Sequence, residues 1–372
     1  MTTTEMRLGD VCDFQYGNSL PEATRKPGLI PVYGSNGKVG QHDQAVTTGA
    51  TLIIGRKGSI GEVHYSPVPC FPIDTTYYVE KTKRSADLRW LYYALLALDL
   101  TQLNKSAAVP GLNRDDAYES RLFVPALPDQ RRLATLLNKA DHLCRTRRYA
   151  LQLSDTFLQS VFLEMFGDPA TNPKGWDIRP LRTLSIKFSD GPFGSNLKSE
   201  HYAERGVRVI RLQNVGVGEF IDVDRAYISP THFAELIQHR CLPGDVIAGT
   251  MGDPNLRAFV IPATLPESLN KADCVQIRPD TRKAVPAYIC WLLNTPGTLV
   301  AAAGAVLGQT RSRVSMGRLA EFVVPLPPLT LQEQFAQIVR RMERLSAQQR
   351  EAERQAEHLF QTLLHRAFRG EV

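Results

Sequence analysis

Two stretches of 38 residues, 129–166 and 331–368, contain neither proline nor glycine, and nothing else limits the possible folds of this chain as much. Each follows a proline-bearing stop ("VPALP", "VPLPPLT") and ends at a glycine ("GDP", "RG"). Proline and glycine mark helix ends, so the spacing predicts two helices. At 1.5 Å per residue each is about 57 Å long, roughly three times the average helix.

The stretches are related at a constant offset of 202, as in Gln130/Gln332, Ala134/Ala336 and Phe166/Phe368. Their apolar residues keep a 3-4 spacing in one heptad register, the pattern of coiled-coil helices. The first seam runs Leu133, Leu136, Ala140, Leu143, Arg147, Ala150, Ser154, Phe157, Val161. The second runs Phe335, Ile338, Met342, Leu345, Gln349, Ala352, Ala356, Leu359, Leu363. Laid antiparallel, small faces large in several layers and the two long polar residues, Arg147 and Gln349, meet at the centre. That complementarity predicts an antiparallel pair with a register-setting polar layer.

The blocks before the helices, residues 1–128 and 167–330, repeat one order of features. "LGDVCDFQYGNSL" parallels "LSIKFSDGPFGSNL", and "LIPVYGSNG" parallels "VRVIRLQNVGVG". "GATLIIGRKGSIGEVHY" parallels "PGDVIAGTMGDPNLRAFVI"; the short apolar "LRWLYYALLAL" parallels "AYICWLLNT". Short β-branched strands, glycine turns and one helix predict compact α+β domains. The expected architecture is therefore α+β: two globular domains separated by an antiparallel coiled coil of two long helices, a pseudo-twofold internal repeat. Its boundaries are 1–128, 129–166, 167–330 and 331–372.

Motifs for catalysis are missing. "GRKGSIGEV" (55–63) lacks the terminal G-K-[ST] with which a phosphate loop holds its ligand. "NPKGW" (172–176) has Lys174 where an amino-methyltransferase motif has its second proline. His232/His239 and His358/His365 lie seven apart, which does not suit the i, i+4 grip of a zinc site. No metal and no cofactor are expected on this chain. The six cysteines are widely spaced, the reading being free thiols in a reducing cytoplasm, and the polar N-terminus and broken apolar runs predict no membrane association.

A net charge of +6 is a mild hint of a polyanionic partner, and duplex DNA is the polyanion for which two symmetric readers are useful. Arg suits guanine edges, Asn and Gln suit adenine, and Lys suits phosphate. On that basis the candidate DNA-binding residues of the first block are Ser35, Asn36, Lys38, Arg56, Lys57, Ser59, Asn113 and Arg114. In the second block they are Arg211, Gln213, Asn214, Thr250, Asp253, Asn255, Arg257, Gln309, Arg311 and Arg313. A non-DNA coiled-coil scaffold with incidental basic loops is the alternative from another class, and a lone methyltransferase is a third.

With these residues in view, the chain resembles the specificity subunits of type I restriction–modification systems. The resemblance is carried by "LPDQRRLATLLNKADHL", "LPPLTLQEQFAQIVRRME" and "FLQSVFLEMFGDP" in the helices, and by "DGPFGSNLKSEHYAERGVRVIRLQNV" and "ATLIIGRKGSIGEV" in the domains. It implies two target-recognition domains that read a bipartite double-stranded DNA sequence. It also implies two methylation subunits that dock on the helices and motor/nuclease restriction subunits that join them. S-adenosylmethionine would be held by the methylation partners, and ATP and Mg²⁺ by the motor partners, directing adenine methylation and ATP-dependent restriction. The specificity arm of a methylation-only or other phage-defence system fits the same residues. The expected partner face is Leu158, Phe162, Met165 and Phe166 with Phe360, Leu364 and Phe368, which lie beside the seam.

Overall fold

The computed structural model describes residues 3–84, 86–106, 111–252, 254–304 and 313–369. Both proline- and glycine-free stretches are continuous helices, the first Leu127–Phe166 and the second Leu329–Phe368. The chain divides into two contact units. One holds residues up to Tyr149 and from Arg350 onward; the other is Ala150–Gln349. Each unit takes the start of one long helix and the end of the other.

In the first unit, β1 (Thr3–Arg7) pairs antiparallel with β9 (Arg121–Pro125). A four-stranded sheet joins β2 (Gln15–Tyr16), β8 (Thr76–Val79), β5 (Thr51–Gly55) and β6 (Val63–Ser66) in that order. A second sheet orders β4 (Gly37–His42), β3 (Ile30–Gly34) and β7 (Phe71–Pro72), with β3 and β7 parallel. The short helix Leu88–Leu98 packs its buried Trp90 and Tyr93 into the core.

The second unit repeats this plan. β10 (Asp177–Pro180) pairs antiparallel with β20 (Val323–Leu326). The order β11 (Ser185–Ser189), β19 (Cys274–Pro279), β16 (Val246–Gly249), β17 (Arg257–Val260) matches the four-stranded sheet. A five-stranded sheet orders β12 (Tyr202–Ala203), β14 (Ala226–Ile228), β13 (Val207–Ile210), β18 (Ser268–Asn270) and β15 (Arg240–Cys241), with β13 and β18 parallel as the counterpart of β3 and β7.

The repeat extends to single hydrogen bonds. Leu112 N–H donates to Arg56 O (2.9 Å), as Val314 N–H does to Thr250 O (3.0 Å). Arg56 N–H donates to Thr75 O, as Thr250 N–H does to Asp273 O, both at 2.9 Å. Ile73 N–H donates to Tyr33 O, as Lys271 N–H does to Ile210 O, again both at 2.9 Å. Gly17 and Gly191 occupy one position, where a Cβ would come within 2.0 Å of Ile73 O and 2.2 Å of the Lys271 carbonyl carbon. Only glycine permits so close a backbone approach.

Gln130 and Gln332, identical in sequence, do identical work. Gln130 Oε1 accepts from Asp87 N–H (2.8 Å) while its Nε2 donates to Pro125 O (2.8 Å). Gln332 Oε1 accepts from Val285 N–H (2.9 Å) while its Nε2 donates to Pro327 O (2.9 Å). Each buried amide ties its long helix to the start of the short domain helix and to a proline carbonyl at the end of the preceding strand (Pro125) or just past it (Pro327). Buried backbone groups need such partners, because an unmade hydrogen bond costs about 1–3 kcal/mol.

Within each unit the long-helix segments run antiparallel. In the first, Arg148 near the end of its segment pairs with Glu353 (3.3 Å) near the start of the other. In the second, Phe166 at the end of the first helix meets Phe335 near the start of the second, with ring centroids 5.4 Å apart.

The face that is buried differs from the expected one. Leu133, Ala140, Ala356 and Phe335 are buried as the seam requires, and Val161, Ile338, Met342 and Leu363 pack partly buried on the cores. Leu136, Leu143, Phe157, Leu345 and Leu359, however, are 36–47% exposed. The burial falls one position later, on Leu137, Cys144, Leu158 and Phe360. Ser154 lies outside the described side chains. The expected partner face is corrected with it. Leu158, Phe162, Phe166, Phe360 and Leu364 are buried inside the units, and Met165 and Phe368 are partly buried against the same cores. The physical reason is the domain. Phe162 stacks on Tyr288 (5.6 Å) and Phe360 meets Tyr93 (6.1 Å), so each helix turns its aromatic residues toward its own domain as well as its partner helix.

Phe162→Ala should therefore destabilise the second unit by about 3–5 kcal/mol, the cost of emptying a packed aromatic site. Phe157→Ala, at an exposed position, should cost less than about 1 kcal/mol. Denaturant unfolding of the two variants checks the difference.

Candidate nucleic-acid interface

The backbone hydrogen bonds that define the repeat bring the candidate readers of the first unit to one edge. The β3–β4 turn carries Ser35 and Asn36 and β4 begins with Gly37 and Lys38; Asn36 and Lys38 are exposed. The turn after β5 carries Arg56, Lys57 and Ser59 and lies against it: a Cβ on Gly58 would sit 3.1 Å from Ser35 Oγ. The Leu112–Arg56 bond adds the third segment, with Asn113 and Arg114. Asn113 is the N-cap of the short helix Arg114–Tyr118 and accepts from Asp115 N–H at 2.9 Å. Its side chain thus holds Arg114 in place rather than projecting.

An aromatic cluster supports this edge. Tyr16, 51% exposed, lies edge-on to Tyr77 (5.1 Å), which stacks on Phe14 (5.6 Å). Tyr77 Oη donates to Leu112 O (3.1 Å). The Arg56 guanidinium sits 5.1 Å from the Tyr16 ring centre and that of Arg114 sits 5.6 Å from it. The residues meet because β2 pairs with β8, which sets Tyr16 opposite Tyr77, and Gly17 N–H donates to Thr76 O (3.1 Å). Composition alone did not single out Tyr16, although an aromatic residue before the strand-ending Gly17 is a local signal.

In the second unit the same residue types divide by role. Asn214 is buried and donates through Nδ2 to Ile221 O (3.0 Å) and Val223 O (2.7 Å). Thr250 and Asn255 are buried. Arg257 spends its guanidinium on the carbonyls of Val215 (2.6 Å), Leu212 (2.9 Å), Met251 and Pro254 (both 3.2 Å). Asn214, Thr250, whose Oγ1 donates to Asp273 O (3.2 Å), and Arg257 are corrected from readers to fasteners of the loops, since loop carbonyls that leave water need donors; Asn255 is buried and so withdrawn from the surface. Asp253, Gln309 and Arg311 lie outside the described residues.

Arg211, Gln213 and Arg313 remain at the surface of that unit. Arg211 pairs with Asp224 (2.8 Å), and Gln213 Nε2 donates to the same carboxylate (2.6 Å). The Gln213 amide and then Arg211 hold the Asp224 carboxyl below its ordinary range. Arg313 pairs with Asp273 (2.8 Å), lies 3.8 Å from Asp190 and stacks over the exposed Phe193 (5.7 Å). Burial raises the Asp190 carboxyl. Sequence reasoning missed Asp190, Phe193 and Asp273, whose proximity to Arg313 is created by the fold.

All six cysteines are buried and unpaired, and burial pushes the Cys12 and Cys241 thiols up to about 12, which keeps them from serving as thiolates at neutral pH. Among the described residues no cluster of His, Cys, Asp and Glu is arranged to hold a metal ion, and no helix is long and apolar enough to cross a membrane.

Arg257→Ala should strand several loop carbonyls and cost about 2–4 kcal/mol. Arg313→Ala, at a part-exposed pair, should stay within about 1 kcal/mol of the parent. Thermal unfolding of the two variants separates the roles.

Comparison with known proteins places this geometry. Residues 2–150 match a family model described as the type I restriction modification DNA specificity domain. The type I restriction enzyme EcoprrI specificity subunit of Escherichia coli is 27% identical over 142 residues, 37% of this chain and 35% of that protein. The chain thus spans about a third of that relative's length. The MjaVIII specificity subunit of Methanocaldococcus jannaschii is 18% identical over 343 residues, 86% of this chain and 76% of that protein. Among solved structures, the type I restriction–modification S subunit of M. genitalium has a TM-score of 0.64 at 16% identity, covering 99% of this chain and 96% of that one. A chain from a study of assembly and conformational transition in the type I system has a TM-score of 0.56 at 16% identity, covering 100% and 98%. Residues 2–150 are thus similar to the type I restriction modification DNA specificity domain, and the fold of the whole chain is similar to that of solved type I S subunits.

Proposed function

We propose that this chain is the sequence-specific DNA-recognition subunit of a type I restriction–modification complex. Residues 1–128 and 167–330 each read one half of a bipartite duplex target, and partner subunits carry out adenine methylation and ATP-dependent restriction. The observation that carries this reading is the duplication. Two units with the same strand order in their four-stranded sheets and the same turn hydrogen bonds present different polar side chains on equivalent loops. That is what two half-targets of unlike sequence require. The reaction chemistry is assigned to the partners: S-adenosylmethionine to the methylation subunits, ATP and Mg²⁺ to the motor subunits. A flipped adenine would enter the methylation subunit's pocket.

The test is selection from a randomised duplex pool by the full chain together with its methylation subunit. Two short fixed sequences separated by an unspecified spacer are expected, and exchanging residues 167–330 for another recognition domain should change one half alone. Affinity should fall steeply with salt, about a thousandfold between 50 and 200 mM if six phosphates are contacted. A coiled-coil scaffold would select no sequence.

The exposed apolar residues of the long helices supply a docking surface for the methylation subunits in place of the buried face first expected. In the first unit these are Leu136, Leu143, Tyr149 and Leu359; in the second they are Leu153, Phe157 and Leu345. Apolar residues left in water on such helices suit partner helices. The double variant Leu143→Glu with Leu359→Glu should fold normally and lose co-elution with the methylation subunit in size-exclusion chromatography.

A further inference from the structure

Superposing the hydrogen-bond framework of one unit on the other shows where the halves part company. Three positions can be matched without ambiguity. Tyr16 and Asp190 each precede the close-approach glycines Gly17 and Gly191. Arg56 and Thr250 each donate to the residue after the crossover and accept from the third segment. Arg114 and Met316 each open a short helix capped by Asn113 or Ser315. The framework is common, yet the first unit places an aromatic ring and two guanidinium groups where the second places a carboxylate, a buried hydroxyl and a thioether.

We propose that the Arg56–Tyr16–Arg114 stack is a guanine-reading site, which makes the half-target of the first unit depend on guanine at that place while the second half-target does not. The inference rests on the DNA-recognition reading above and names the base and residues through which it acts.

Four observations support it. First, both guanidinium groups share one ring, at 5.1 and 5.6 Å, and the ring is 51% exposed. Cation–π contact with a ring anchored by Tyr77 restricts the two arginines before any ligand arrives, which lowers the entropy lost on binding. Second, their backbones are fixed by the Arg56–Thr75 and Leu112–Arg56 hydrogen bonds and by the Asn113 cap. Third, the charge is poorly compensated. Among the described residues, Asp115 pairs with Arg114 at 3.9 Å, beyond hydrogen-bond reach, and Arg114 Nε is buried without an acceptor. In the second unit Arg313, by contrast, is neutralised by Asp273 at 2.8 Å. Two cations gathered on one ring repel each other unless acceptors join them. Fourth, the Arg114 side chain is 41% exposed, so its fork can still meet a ligand. Guanine O6 and N7 present two acceptors at the spacing of a guanidinium fork. Tyr16 acts here as a positioning residue.

The experiment is selection from a randomised duplex pool by the full chain with its methylation subunit, comparing the parent with R56K, R56A, Y16F and Y16A. Circular dichroism and thermal unfolding confirm that each variant is folded. For the parent, preference for guanine at one position of one half-target should be about ten- to a hundredfold, the discrimination typical of a bidentate contact. Both R56K and R56A should lose most of that preference, because Lys keeps the charge without the fork, and the other half should be unchanged. Y16F should retain the preference and Y16A should reduce it. If R56K selects the parent sequence, or R56A weakens binding evenly with a shallower salt slope, Arg56 contacts phosphate and the inference fails. If the parent selects no sequence at all, the DNA-recognition reading fails first.

Discussion

Each unit depends on an aromatic junction between one short domain helix and the two long ones. In the second unit Phe162, Phe166, Tyr288 and Phe335 are all fully buried; Phe162 and Phe166 are in ring contact with each other, and each contacts both Tyr288 and Phe335. In the first, Trp90 and Tyr93 meet Phe368 and Phe360. Such large rings bury enough surface to bind a helix to a domain, where a plain leucine seam would bind only helix to helix. The junction makes the long helices part of each core. It also sets their rotation, and so decides which apolar residues are left facing water.

The polar fasteners act on a finer scale. Gln130 and Gln332 satisfy the amide that starts the short helix and a proline carbonyl at or just past the end of the preceding strand. Tyr288 Oη adds a bond to Pro325 O (2.6 Å) beside the second of them. These bonds contribute modestly to net stability, yet they specify angle, because a buried donor without its acceptor is costly. The loops rest on a frame held in this way, and their side chains can differ between units without disturbing it.

Much of this was legible in the sequence. The two long helices follow from the absence of proline and glycine, and the duplication follows from the ordered recurrence of turns around Gly17/Gly191 and Gly55/Gly249. Their antiparallel course follows from small-against-large pairing. The rotation of the helices was not legible. A heptad pattern such as Leu136–Leu143 reports that an apolar stripe exists, whereas Trp90 and Tyr288 decide which edge of it is covered. Nor could residue type separate readers from fasteners. Arg257 and Arg56 look alike in a glycine-rich loop, but one faces four carbonyls and the other an aromatic ring. Asp190 and Tyr16 acquire meaning only when the fold brings them to equivalent places.

The way the units share the helices also bears on how the chain comes into being. The second unit is one unbroken segment, Ala150–Gln349, whereas the first is built from two segments separated by that whole unit. A ribosome making this protein delivers the early strands with Trp90 and Tyr93 long before Phe360 and Phe368 exist to cover them. The later-encoded unit is therefore the one able to mature first, and the N-terminal one waits, with part of its apolar interior uncovered, for the last helical turns to emerge. Closing the unit then carries a loop-entropy cost that grows only slowly with the 200 intervening residues. The vulnerable moment of this molecule lies in the interval before the second long helix is complete.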